Sequence, residues 1–202
     1  MRRLATLLAA LALSGAPAAM AEQGRTDAAK VESGTYKVDP NHTQVLFGVS
    51  HFGFTTYYGT FTSTAGTLML DPAKPAESKV DIAVKTGSVS VMSPKLQDEL
   101  KSAQWLDASQ FPEATFKSTK VTKTGADTAT LAGELTLHGV TKPVTLQVTY
   151  VNAGPNPLSK AYTVGFEAKG KINRSDFGVK TYAPMIGEQV DLTISGAFER
   201  QG

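Results

Sequence analysis

The chain has 202 residues, with 20 Lys and Arg against 18 Asp and Glu, and no cysteine. Without thiols there are no disulfides, thiolate nucleophiles or cysteine-ligated metals, so a fold of this size rests on its own apolar core. A charge so near balance excludes the electrostatic footprint that nucleic acid or an anionic membrane surface would demand.

The first residues, Met1-Arg2-Arg3, are followed by an apolar run from Leu4 to Leu13 and a small-residue stretch ending Ala19-Met20-Ala21. That order predicts a cleavable secretory signal over residues 1–21, cut near Ala21. The run is about half of the roughly 20 apolar residues a membrane-spanning helix needs, so stable membrane insertion is not expected. Removal of Arg2 and Arg3 leaves equal numbers of basic and acidic groups. A periplasmic or secreted protein is the expectation. Residues 22–33 are polar and lack apolar periodicity, which predicts a flexible lead-in.

From residue 34 to about 200 the pattern is alternation. Val45, Phe47 and Val49 share one phase, as do Val80, Ile82 and Val84, and later Leu131, Gly133, Leu135 and Leu137. Val144, Leu146, Val148 and Tyr150 repeat it, followed by Val164, Phe166 and Ala168, and then Val190, Leu192, Ile194, Gly196 and Phe198. A period of two with Val, Thr, Tyr and Phe enrichment predicts antiparallel strands with one buried face. Turns are predicted at Thr124–Asp127 and at Gly139–Pro143. Roughly eight strands and no crossover helices favour an up-and-down barrel over a sandwich. One segment departs from this pattern: Ser93-Pro94 reads as a helix cap and first turn, with Leu96 and Leu100 on one face, and Trp105 follows. This short helix is placed across an opening of the barrel.

Conventional chemistry finds little to work with. His42, His51 and His138 match no compact metal spacing, and no metal or other cofactor is expected. Gly165 to Lys171 nearly completes a phosphate loop, but Ile172 stands where the hydroxyl belongs and no helix follows. No nucleophile elbow occurs. Arg174 and Asp176 read either as an ion pair fixing a loop or as an arginine at a pocket mouth. A hydrolase assembled from distant strands, or an exported interaction module with a filled barrel, remain the alternatives to a binding protein.

Five separated motifs add a resemblance. They are Asp39-Pro40-Asn41-His42-Thr43 running into Val45-x-Phe47-x-Val49-x-His51-x-Gly53, then Gly59-x-Phe61, then Phe111-Pro112-Glu113-Ala114-Thr115-Phe116-Lys117-Ser118, then Gly133 to Val144, and Asn173-Arg174-Ser175-Asp176-Phe177-Gly178. In this order they resemble the YceI-like family of periplasmic and secreted polyisoprenoid-binding proteins. The resemblance implies an all-β, eight-stranded antiparallel, lipocalin-like barrel over residues 34–200, hollow enough to hold an isoprenoid tail. It also implies a non-enzymatic lipid carrier or store, linked to stress responses and often a homodimer. Gln97-Asp98-Glu99-Leu100 departs from the family's expected Asp-x-His-Leu, so no histidine role carries over to that helix.

Combined with the alternation, the resemblance assigns an apolar pocket to Val45, Phe47, Val49, His51, Phe61, Ile82, Phe116, Leu135, Leu137, Leu146, Val164, Phe166, Leu192 and Ile194. Trp105 and Arg174 are assigned to its mouth. Gly133, Gly165, Ala168 and Gly196 are expected to leave the room.

Overall fold

A computed structural model describes residues 24–202; the predicted signal over residues 1–21 lies outside them. The strands are β1 (Gly34–Val38), β2 (Gln44–His51), β3 (Thr55–Phe61), β4 (Thr64–Leu70), β5 (Lys79–Lys85), β6 (Val89–Ser90), β7 (Glu113–Lys123), β8 (Thr128–Leu137), β9 (Val140–Pro155), β10 (Tyr162–Asn173) and β11 (Ile186–Arg200). One α-helix, α1 (Pro94–Lys101), lies between β6 and β7. The Ser93 hydroxyl accepts from the Leu96 N–H at 3.4 Å and Pro94 opens the first turn, as the sequence predicts.

Eight of the strands close a ring in the order β1-β4-β5-β7-β8-β9-β10-β11, with β11 returning to β1, and every pairing is antiparallel. The remaining strands, β2, β3 and β6, extend the sheet in that order from β11. β1 and β2 both pair with β11, at Phe198–Arg200 and at Ile186–Ser195 respectively. They are one long strand interrupted by the Asp39–His42 turn, where Pro40 can donate no ladder bond. Asp39 locks that turn: its carboxylate accepts from Asn41 N–H at 3.0 Å and lies 2.5 Å from His42 Nδ1. Burial pushes the Asp39 carboxyl up, but the His42 and Asn41 hydrogen bonds outweigh it and hold the group below its ordinary value.

Between β8 and β9 the turn is tighter than the sequence suggests. His138 and Gly139 both have positive φ (51° and 73°), which is the two-residue hairpin geometry that matches strand twist. Val140 to Pro143, read as part of the turn, already belong to β9 and pair with Glu134 to Leu137.

The barrel has two distinct ends. One carries the β4–β5, β7–β8 and β9–β10 loops. The other carries the β2–β3 and β8–β9 turns, the segment from β10 to β11, and the long β5–β7 connection that contains α1. The predicted flexible lead-in is not free. Arg25 donates to the carbonyls of Val151 (2.8 Å) and Tyr150 (3.1 Å), and Thr26 N–H donates to Asn152 Oδ1 at 2.8 Å. Its anchors are polar bonds to a strand more than a hundred residues away, so apolar periodicity gave no sign of them.

Candidate functional site

Inward-facing side chains leave a cavity of about 300 Å³ that runs from the first end down to Thr64, Val84 and Leu135. Its wall is aliphatic and aromatic, contributed by β2 and by every strand of the ring except β1. Val80, Ile82 and Val84 come from β5, Leu131 and Leu135 from β8, Val144, Leu146, Val148 and Tyr150 from β9, and Leu192 and Ile194 from β11. The charged lining groups are Asp71, Lys123 and Asp127, which sit at the ends of β4 and β7 and in the β7–β8 loop. They form a polar rim around an apolar shaft. A pocket with this lining is of the kind that takes apolar ligands.

The lead-in crosses this rim. Ala28 and Ala29, in a short 3-10 turn, line the cavity. The strap they belong to is pinned by the Arg25–Asp127 ion pair at 3.0 Å and by Arg25 stacked 5.1 Å from the centre of the Tyr150 ring. Tyrosine hydroxyls complete the attachment. Tyr150 donates to Thr26 O at 2.9 Å, Tyr36 donates to Glu32 O at 2.5 Å, and Tyr162 accepts from Glu32 N–H at 3.3 Å. Burial, with Tyr162 adding to it, pushes the Tyr36 hydroxyl up to about 12 and the Tyr150 hydroxyl in the same direction.

Of the residues assigned to the pocket from sequence, Val45, Ile82, Phe116, Leu135, Leu146, Phe166, Leu192 and Ile194 line it. The others do not. Phe47 and Phe61 turn their rings on each other at 5.7 Å, and Val49 packs with Trp105, Val179 and Ile186. Leu137 packs around the buried Phe177, and Val164 is fully buried between Tyr36 and Phe198 in the wall. His51 is exposed at the tip of β2, with its ring 4.5 Å from that of Phe52, and is not a pocket residue.

Trp105 and Arg174 are not at the mouth either. Arg174 is 5% exposed at the far end, and its guanidinium donates to the carbonyls of Val179, Ile186 and Gly187 at 2.8–2.9 Å. Its charge lies 5.4 Å from the centre of the Trp105 ring, and no ion pair with Asp176 forms. Burial lowers its pKa against the pull of Glu188. The Asn173–Gly178 motif is therefore a plug at the closed end. α1 likewise lies by β6 and the Trp105 cluster, away from the open rim.

The glycines expected to make room divide in the same way. Gly196 and Ala168 border the cavity. A Cβ on Gly133 would come within 2.4 Å of the Phe116 ring, so its space is already taken. Gly165 has only Asn152 O and Val151 Cβ nearby, at 3.8 Å, and faces outward. Among residues missed from sequence, Leu131 and Phe198 stand in phase with Leu135 and Ile194, which were chosen, whereas Val121 is shifted out of phase with Phe116 by the bulge at Ser118–Lys120 and Leu68 lies on a strand from which none was chosen. Among the described residues no three His, Asp or Glu side chains converge as a metal site, and the three histidines lie apart. No described helix is long and apolar enough to cross a membrane.

Fold and site together define a closed antiparallel barrel with an apolar interior open at one end. The family model for the YceI-like domain matches residues 36–198, and the chain belongs to that family. It is 41% identical over 162 residues to Protein YceI of Escherichia coli O157:H7, covering 79% of this chain and 84% of the relative. Among solved structures, Burkholderia cenocepacia BcnA superposes with a TM-score of 0.72 at 24% identity, covering 79% of this chain and 98% of that one. A polyisoprenoid binding domain from Saccharophagus degradans superposes with a TM-score of 0.65 at 14% identity, covering 84% and 100%.

Proposed function

We propose that this protein binds a long apolar lipid, a polyisoprenoid or isoprenoid quinone, inside the barrel and carries, stores or sequesters it in the periplasm without changing it covalently. The observation that carries the reading is the cavity itself, an apolar shaft with its charged groups confined to the open rim. The description of the Saccharophagus degradans neighbour as a polyisoprenoid binding domain points to the same class of ligand.

The energetics favour such a guest. Each buried CH₂ contributes about 0.8 kcal/mol, so one five-carbon unit contributes roughly 3–4 kcal/mol as an upper bound. Ordering of the tail offsets part of that gain. Tight binding then needs few polar contacts.

The test is extraction of the exported protein into organic solvent followed by mass spectrometry, together with uptake of an added isoprenoid quinone. A stoichiometric polyprenyl lipid supports the reading; no apolar ligand and no uptake overturn it. Ile194→Asp, which puts a carboxylate in the wall, is expected to abolish loading, with circular dichroism confirming that the variant folds.

A further inference from the structure

Resting on the lipid-binding reading, we infer that Thr64 receives an uncharged oxygen of the ligand at the inner end of the cavity, so that the head group enters first. Thr64 opens β4, is 4% exposed and lines the cavity. Its hydroxyl is buried and has no protein partner.

The other hydroxyls of the lining are engaged. Thr43 exchanges two bonds with the backbone of Ala197, each 3.1 Å. Ser78 accepts from Asp71 N–H, and the Thr128 hydroxyl is bonded to that of Thr124. Tyr150 donates to the strap. An unpaired buried hydroxyl carries a desolvation cost that a valine of the same shape would not. A ligand oxygen removes that cost.

Position then sets the orientation. β4 runs from Thr64, opposite Val84, to Leu70 beside the rim residue Asp71. Thr64 is thus the far end of the strand from the mouth, and the shaft between is apolar. Charge sets the chemical class. The cavity's ionisable groups are at the rim, and no cation lies near Thr64 among its lining residues. A phosphate inserted there would be a buried, unpaired anion. A quinone carbonyl or an alcohol meets a hydroxyl without that cost.

The experiment compares wild type with Thr64→Val and Thr64→Ser, titrated with an isoprenoid quinone, with squalene as the oxygen-free control, and with a polyprenol against its phosphate. Thr64→Val keeps the side-chain shape, and its melting temperature is expected to equal or exceed that of wild type. Affinity for the quinone should fall about three- to tenfold in Thr64→Val and be retained in Thr64→Ser. Affinity for squalene should be unchanged or tighter. The infrared carbonyl stretch of bound quinone should sit lower in wild type than in Thr64→Val.

Equal effects on quinone and squalene, or no effect on either, would mean that the hydroxyl meets only water and would overturn the inference. A phosphate that binds as tightly as its parent alcohol would overturn the class assignment. If neither quinone nor squalene binds wild type, the lipid-binding reading fails and takes this inference with it; binding that ignores Thr64 overturns the inference alone.

Discussion

The two halves of the barrel share one alternation pattern and are built differently. Toward the closed end side chains pack on one another: Phe47 packs on Phe61, Phe177 is 2% exposed, and Arg174 ties the plug to three carbonyls. Toward the open end a buried cluster that includes Tyr36, Leu68, Val164 and Phe198 packs beside the cavity, and further attachment comes from the rim. There Tyr36, Tyr150 and Tyr162 bond a strap that also carries an ion pair. A barrel of this size is either filled by its own side chains or holds one ligand; this one packs part of its interior and leaves the rest open.

The sharpest way to break that division is through the plug. Arg174→Ala removes three donors and leaves the carbonyls of Val179, Ile186 and Gly187 buried without them. The expected cost is about 3–5 kcal/mol, read from urea unfolding midpoints. A loss below 1 kcal/mol would show that the turn holds its place without the guanidinium.

Truncation of one apolar side chain in each half should give unequal results. Phe177→Ala opens a void in a packed region and is expected to cost about 3–5 kcal/mol. Ile194→Ala borders space that is already empty, loses fewer contacts, and should cost about 2 kcal/mol. Its larger effect should appear as weakened lipid uptake. Equal stability losses in the two variants would contradict the solid-versus-hollow distinction.

The contrast also marks what the sequence could disclose. Val45 and Phe47 are two apart with the same phase, yet one lines the cavity and the other packs on Phe61. Alternation reports which face of a strand is buried, not how far along the barrel a side chain stands or what meets it there. That depends on cross-strand neighbours such as Gly59, where a Cβ would fall 2.3 Å from the Phe47 ring. The motif around Arg174 was legible as special, but not as a plug, because its partners are backbone carbonyls that carry no residue signature. The barrel, its helix cap and its buried faces were readable because each depends on local periodicity or capping chemistry. The strap was not, since Arg25 and Thr26 find their partners on β9.

At the open end the tyrosines predict an alkaline limit. Tyr36 ionises near 10 when unfolded and near 12 when folded, because burial disfavours the phenolate. The unfolded chain therefore loses its proton first as pH rises. The stability Tyr36 contributes is fully present below pH 10 and is lost between about 10 and 12, by an order of 2 kcal/mol. Chemical unfolding at stepped alkaline pH should show this decline, and Tyr36→Phe should flatten it. A slope unchanged by the substitution would place the titration elsewhere.

The smallest effect on stability is expected from the strap, although its effect on kinetics should be clear. The Arg25–Asp127 pair is partly exposed, with side-chain exposures of 49% and 33%, so screening limits its worth to about 1 kcal/mol or less. Arg25→Ala should therefore scarcely shift the unfolding midpoint. It also removes the bonds to Tyr150 O and Val151 O that hold the strap beside the mouth. If Ala28 and Ala29 obstruct exchange from where they line the cavity, release of a bound isoprenoid quinone to acceptor vesicles should accelerate severalfold in Arg25→Ala. The gain should appear in loading as well as release, because a lowered barrier acts in both directions while the equilibrium affinity stays nearly constant. Faster release with unchanged loading would instead mean that Arg25 supports the bound state itself, which would move the strap from the path of the ligand into its binding site.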